Sequence, residues 1–311
     1  MRLIFAGTPD VAVPALEAIS LSNHQVLAVI TRPDAPRGRG RSMAASPVAE
    51  RAGELGIRVL KPTSLRDRSV SMELAGLAPD CCPIVAYGGL VPPELLSLPT
   101  HGWVNLHFSL LPAWRGAAPV QHAVLHGDEV TGATTFRLTE GLDSGPVFGS
   151  VTESISTSDT SGALLQRLSE SGAQLLLRTL DGIESGEIVP HDQPADGVSL
   201  APKLGADDAR IRWNEPALAV DRRIRSCTPA PGAWTTHRQQ RVGVLPLAHA
   251  SRSELVGSPA PGELRVSKHE LWVGTGSFAV QLSEVRPAGK GVMSAADWAR
   301  GARLADGDVL Q

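Results

Sequence analysis

The chain has 311 residues, 42% of them hydrophobic, and a formal net charge of -3 at pH 7. That length suggests two domains with enough apolar side chain for a sizeable core, and no apolar run reaches the length of a membrane span. Cys81, Cys82 and Cys227 are the only cysteines and lack zinc-site or redox-motif spacing; they exclude a disulfide scaffold and read as buried thiols of a reducing compartment.

Arg2–Gly7 is an apolar strand running into a Gly-Thr-Pro turn, and it reads as structure rather than as a secretory leader. A cytoplasmic location is therefore expected. Val11–Ser20 has helical spacing, with Val13, Ala15, Leu16 and Ile19 available for one face. Gln25–Thr31 follows as a strand. Ser46-Pro47 supplies an N-cap and a first-turn proline for a helix that stops at Gly56. Arg58–Leu60 is a short strand, Glu73 sits in a helix, Cys82–Tyr87 is an apolar strand, Pro93–Leu98 a short helix and Trp103–Phe108 the next strand. Strands alternating with helices predict an α/β fold with a Rossmann-like, doubly wound, mainly parallel sheet.

Beyond Pro119, Val120–His126 reads as a helix, Thr131–Leu138 and Val147–Ile155 as strands, and Thr160-Ser161 opens a helix through Leu180. Residues 185–206 carry scattered Gly, Pro, Asp and Ser with weak periodicity. This places a first domain at 1–190, a linker at 191–206 and a second domain at 207–311. In the latter, Pro216–Ser226 and Ala295–Leu304 read as helices. Gly232–Thr236, Gln240–Leu245, Gly262–Val266, Glu270–Gly274 and Ala279–Val285 read as short strands with Gly/Pro turns, which favour a small β-barrel. The two parts differ in charge. Residues 207–311 hold 14 Lys/Arg against 11 Asp/Glu, leaving 15 against 21 in residues 1–206. A basic module facing a polyanion and an ordinary solvated surface both explain that difference.

The first turn, Gly7-Thr8-Pro9, has one glycine where a dinucleotide fingerprint needs three and no phosphate-loop lysine, so it reads as a tight strand-to-helix turn. His122 and His126 lie four apart on a helix without further ligands, and no metal is expected. Arg37, Arg39 and Arg41 share a Gly/Pro-rich loop after Asp34 that holds no further acidic residue. A solvated loop and a loop that orders on a phosphate backbone account for it equally.

The strongest constellation is Asn105, His107 and Asp143. Alternation along Trp103–Phe108 puts Asn105 and His107 on one face, at the end of a strand, where open α/β sheets form ligand sites. Asp143 lies in the Glu140–Pro146 loop after a strand expected beside theirs. A carboxylate in reach of His107 would fix its tautomer and raise its pKa toward imidazolium. The Asn105 amide can donate to a developing oxyanion. Together they suit acyl transfer. No Ser or Cys stands in a nucleophile elbow, so the attacking group belongs to the substrate.

The chain resembles the folate-dependent formyltransferases over nearly its whole length. The resemblance rests on Phe5-Ala6-Gly7-Thr8-Pro9-Asp10, Pro33-Asp34 with Gly38-Arg39-Gly40, Val85-Ala86-Tyr87-Gly88, Asn105-Leu106-His107-Phe108-Ser109-Leu110-Leu111-Pro112, Trp114–Pro119, Gly141–Gly145 and Arg286–Lys290 with Met293-Ser294-Ala295. It implies 10-formyltetrahydrofolate as formyl donor, with Ser109, Leu110, Leu111 and Pro112 lining the folate site and Asn105, His107 and Asp143 catalytic. The Arg-bearing loop and the C-terminal segment imply the branch whose acceptor is methionyl initiator tRNA. Arg37, Arg39 and Arg41 would meet the tRNA, and the second domain would be an OB-like barrel with a basic face. A monomer is expected. Phe108 stands where the family usually has glycine, and Cys81-Cys82 where apolar residues are usual. The rival acceptors are an amino sugar nucleotide, glycinamide ribonucleotide, whose enzyme ends near the first domain, and water, as in a 10-formyltetrahydrofolate hydrolase. A non-catalytic tRNA- or folate-binding protein is the remaining reading, and the complete trio argues against it.

Overall fold

The computed structural model describes residues 1–37, 42–248 and 258–311. The chain divides into two units. The first comprises 1–119, 130–154 and 165–200, and the second comprises 120–129, 155–164 and 201–311. No helix among the described residues is long and apolar enough to cross a membrane.

The first unit is built on strands that are buried on both faces and so read as apolar runs. They are β1 (Arg2–Gly7), β2 (Gln25–Ile30), β5 (Val59–Leu60), β6 (Cys82–Val85) and β7 (Trp103–His107). These pair in parallel in the order β5-β2-β1-β6-β7; β8 (Val130–Arg137) and β9 (Val147–Ser154) extend the sheet antiparallel beyond β7. The helices of the first unit are α1 (Val13–Ser20), α2 (Pro47–Glu54), α3 (Arg68–Leu77), the short α4 (Pro93–Leu96) and most of α6 (Ser161–Ser185), which is five residues longer than its periodicity suggested; α5 (Pro119–His126), beyond its first residue, and the first turn of α6 fall in the second unit. Ser46 caps α2 by accepting the Ala49 N–H at 3.1 Å, as its sequence signal required. A two-stranded hairpin, β3 (Ala35–Arg37) and β4 (Ser42–Ala44), leaves the sheet just after β2 and carries Arg37. Arg39 and Arg41 lie outside the described residues.

The turn after β1 fastens strand ends together. The Thr8 hydroxyl donates to the Tyr87 carbonyl at 2.7 Å and accepts the Arg32 N–H at 3.3 Å. A Cβ on Gly7 would come within 2.8 Å of Phe5 and 3.1 Å of the Val85 carbonyl, so this turn is tight because three strands converge on it. Strand β6 ends at Val85, short of Tyr87, because Ala86 takes a left-handed φ of 45°. Phe108 also falls outside its strand, buried in the bend after His107.

The second unit contains α7 (Ala217–Ser226), α8 (Ala295–Ala302) and two antiparallel sheets. One sheet orders β10 (Trp234–His237), β11 (Gln240–Val244), β15 (Glu284–Pro287) and β16 (Met293–Ser294); the other orders β12 (Leu264–Val266), β13 (Leu271–Val273) and β14 (Val280–Leu282). The chain passes from β14 to β15 through Ser283 alone, so both sheets wrap one core containing Val220, Ile224, Val244, Val273, Val285 and Trp298. The second unit is thus a small β domain, and the first is Rossmann-like.

Candidate active site

Strand β7 sets the site. Its partner β8 places Phe136 opposite Asn105 and Thr134 opposite His107. The β8–β9 connection leaves from the foot of β7, where the Leu138 N–H meets the Trp103 carbonyl, and folds back so that Asp143 reaches His107. His107 and Asp143 thus come together, with Asn105 on the same face of β7 two residues before His107. The Asp143 Oδ2 atom lies 3.8 Å from His107 Nδ1 and accepts the Gly116 N–H at 2.7 Å. Their side chains are 7% and 12% exposed, so the pair is largely withdrawn from water.

The other imidazole nitrogen defines the tautomer. His107 Nε2 is 2.9 Å from the Trp114 carbonyl, which can only accept, so Nε2 carries a proton. In the neutral ring Nδ1 is then the basic atom, and it faces Asp143. Burial lowers the His107 pKa below its usual value; Asp143 and the Trp114 carbonyl pull the other way without reversing it. This corrects the expectation of a raised pKa. The desolvation is larger than the attraction of a carboxylate held beyond hydrogen-bonding distance, and the resting imidazole is neutral.

Asn105 is half-buried, and its carboxamide has no hydrogen-bond partner among the described residues. Two strong donors are therefore presented unspent beside His107. Trp114 and Asp143 both hold left-handed backbone, with φ of 59° and 44°. Aspartate tolerates that region, whereas tryptophan visits it rarely. The Trp114 strain is what turns its carbonyl onto His107.

The loop after β7 is latched from within. The Thr134 hydroxyl donates to the Ser109 carbonyl at 2.6 Å and accepts the Leu111 N–H at 3.2 Å; the Ser109 hydroxyl donates to the Ala113 carbonyl at 2.6 Å. Ser109 is fully buried, so its side chain fastens the loop and is not offered to a ligand. Leu110, Leu111 and Pro112 remain half-exposed.

Residues 191–200 are tied into this unit, although their composition read as linker. His191 pairs with Val147, and the Ser199 carbonyl accepts the Arg115 N–H at 2.9 Å. Gln193 was not legible as a site residue. Its Nε2 donates to the carbonyls of Asp143 and Gly145, each at 2.8 Å, and its Oε1 accepts from Arg115 at 2.6 and 3.2 Å. One side chain thus clamps the Asp143 loop to the Trp114–Pro119 loop. Only its distance in sequence hid it.

His122 and His126 stack at 5.6 Å, and each meets a backbone carbonyl at 2.9 Å. No group that could hold a metal ion occurs among the described residues. In the second unit a cavity of about 460 Å³ is lined by Trp234, Arg241, Arg286 and Lys290, with the Arg241 guanidinium 4.5 Å from the Trp234 ring centre. Three cations lining one recess make a surface suited to a polyanion, while the Trp234 ring is approached by the Arg241 and Arg210 guanidiniums.

Residues 1–180 match the formyl transferase family, and residues 203–303 match the formyl transferase C-terminal domain. Curated relatives named methionyl-tRNA formyltransferase include that of Salinispora tropica, 59% identical over 100% of both chains. That of Streptomyces coelicolor is 60% identical over 99% of each chain. Among solved structures, HypX from Aquifex aeolicus in complex with tetrahydrofolic acid aligns with a TM-score of 0.65 at 16% identity, covering 96% of this chain and 46% of that one. An N-formyltransferase from Helicobacter canadensis, in complex with folinic acid and dTDP-3-aminofucose, aligns at 0.65 and 15% identity, covering 91% and 98%. At those identities the likeness is one of fold.

Proposed function

The chain belongs to the formyl transferase family across both of its units, and on that premise we propose that it transfers the formyl group of 10-formyltetrahydrofolate to the α-amino group of methionyl initiator tRNA. The product is N-formylmethionyl-tRNA for translation initiation. The acceptor follows from relatives of that name, 57–60% identical over almost the entire chain. The chemistry is carried by one observation, the unpartnered Asn105 carboxamide beside the buried His107–Asp143 pair. The enzyme acts as a cytoplasmic monomer on folate and tRNA and needs no metal.

The reaction is direct attack. The acceptor amine must be neutral, and an α-amino group with a pKa near 8 is partly so at pH 7. Its nitrogen bonds to the formyl carbon and the carbonyl oxygen becomes an oxyanion, which accepts from Asn105. Neutral His107 takes the proton shed by the attacking nitrogen at Nδ1. The imidazolium so formed faces Asp143 and adds positive charge beside the oxyanion. As the bond from carbon to the folate N10 breaks, that nitrogen leaves with the proton returned by His107, directly or through water. Leu110, Leu111 and Pro112 offer an apolar wall to the flat rings of the folate.

The tRNA is held electrostatically. Arg37 on the β3–β4 hairpin is one contact, and Arg39 and Arg41 continue its charge in sequence. The C-terminal unit adds Arg241, Arg286 and Lys290 around Trp234. Incubation of the purified protein with 10-formyltetrahydrofolate and methionyl-tRNA tests the reading: formylmethionyl-tRNA must accumulate. Release of formate without tRNA identifies a hydrolase instead, and binding without turnover a non-catalytic protein.

A further inference from the structure

A second recess, of about 290 Å³, opens where β2, β5 and β6 end. Arg32 follows β2, Thr63, Leu65 and Arg66 follow β5, and Tyr87 follows β6. Neither guanidinium is paired with a carboxylate among the described residues. Arg32 spends one donor on the Thr63 carbonyl at 3.0 Å, and the exposed Arg66 side chain spends none.

Tyr87 is 2% exposed, yet its buried hydroxyl has no partner of hydrogen-bond geometry among the described residues. Buried tyrosine hydroxyls ordinarily have one. Burial holds the phenol protonated, and the neighbouring Arg32 guanidinium, through its charge and its approach to the phenol oxygen, opposes that effect without reversing it, so the O–H proton is not spent on Arg32. It is a donor waiting for an acceptor. Two guanidinium forks and an O–H, with no carboxylate among them, select an oxyanion.

Position narrows the choice. Arg32 leads directly into the β3–β4 hairpin that carries Arg37, so a further arginine follows it closely along the chain. The recess and His107 share the carboxyl edge of one sheet. Strand β2 is three places from β7, which at roughly 4.8 Å per strand is about 14 Å. That is the reach of a short single-stranded nucleic-acid end. We propose that Arg32, Arg66 and the Tyr87 hydroxyl hold a backbone phosphate of the acceptor tRNA's single-stranded 3′ end while its aminoacyl group lies at His107. This rests on the tRNA reading above. A glutamyl carboxylate of folate is the competing occupant.

Arg32→Gln, Arg66→Gln and Tyr87→Phe test it in the full chain, the last removing a single oxygen. Each arginine variant is expected to raise KM for methionyl-tRNA by about tenfold, the loss of one charge-assisted contact. Each should also flatten the dependence of log affinity on log salt by about 0.7. The KM for mono- and polyglutamyl 10-formyltetrahydrofolate should stay unchanged. Anisotropy titration with an oligonucleotide of the tRNA 3′ end that carries no amino acid reads the recess without catalysis, so it stands even if the parent protein fails to formylate methionyl-tRNA. Weaker binding in Arg32→Gln and Tyr87→Phe is expected. Unchanged oligonucleotide binding in both, or a KM rise confined to polyglutamyl folate, overturns the proposal.

Discussion

Gln193→Leu separates the positioning of Asp143 from the chemistry. Leucine keeps much of the volume and removes the bonds to the Asp143 and Gly145 carbonyls, both 2.8 Å, and to Arg115 at 2.6 and 3.2 Å. Gly145 is buried, so water replaces its partner poorly, whereas half-buried Arg115 is partly resolvated. With about 1 kcal/mol for each neutral bond and about 1.5–3 kcal/mol for a bond to a charged group, partly recovered from water, the loss is about 3 kcal/mol. It falls on a loop whose Asp143 already holds a left-handed backbone, so the carboxylate shifts. A misplacement of about 1 Å costs on the order of 10² in rate. Steady-state formylation should show kcat reduced by about 10- to 100-fold with KM for folate and tRNA little changed. The melting temperature should fall by several degrees. A lowered melting temperature with kcat within about twofold of the parent would refute the clamp, since a purely structural role predicts that result.

Asn105→Ala should lower kcat by about 10²–10³ without lowering the melting temperature, because the amide has no protein partner to lose; a parental kcat contradicts its role as oxyanion donor. The His107 ring protons, followed by NMR, should titrate below the usual 6.5, and Asp143→Asn should lower the midpoint further; a midpoint above 6.5 would show that the carboxylate outweighs burial. A depressed folded pKa means that the unfolded state binds the proton more readily. The His107 contribution to stability is therefore complete above pH 6.5 and lost as pH falls toward the folded value, at up to about 1.4 kcal/mol per pH unit. Thr134→Val unlatches Ser109 and Leu111 and should raise KM for the folate several-fold while sparing KM for tRNA; an equal rise in both indicates general unfolding instead.

The alternation of strands and helices was legible because buried parallel strands must be apolar, and α2 was bounded correctly by Ser46-Pro47. Asn105, His107 and Asp143 were legible as a set because polar groups at a strand end followed by a Gly-rich loop have few structural uses. Four things were not. The sign of the His107 shift depends on a 3.8 Å separation and on burial, neither of which the residue types specify. Ser109 reads as a ligand contact beside Leu110–Pro112, but its hydroxyl turns back to Ala113. Gln193 lies in a stretch whose Gly, Pro and Asp content resembles a linker, because such stretches can be ordered by hydrogen bonds that leave no periodic pattern. The Tyr87 recess was hidden for a related reason: its donors follow three strands that are neighbours only in the folded sheet.

Single-turnover transfer of labelled formyl from 10-formyltetrahydrofolate to methionyl-tRNA, compared between the parent and His107→Ala, bears most directly on the proposed reaction. The parent should form labelled formylmethionyl-tRNA. His107→Ala should be slower by about 10² or more, with folate and tRNA binding retained. Near-parental transfer by His107→Ala, or no labelled product from the parent, would contradict it.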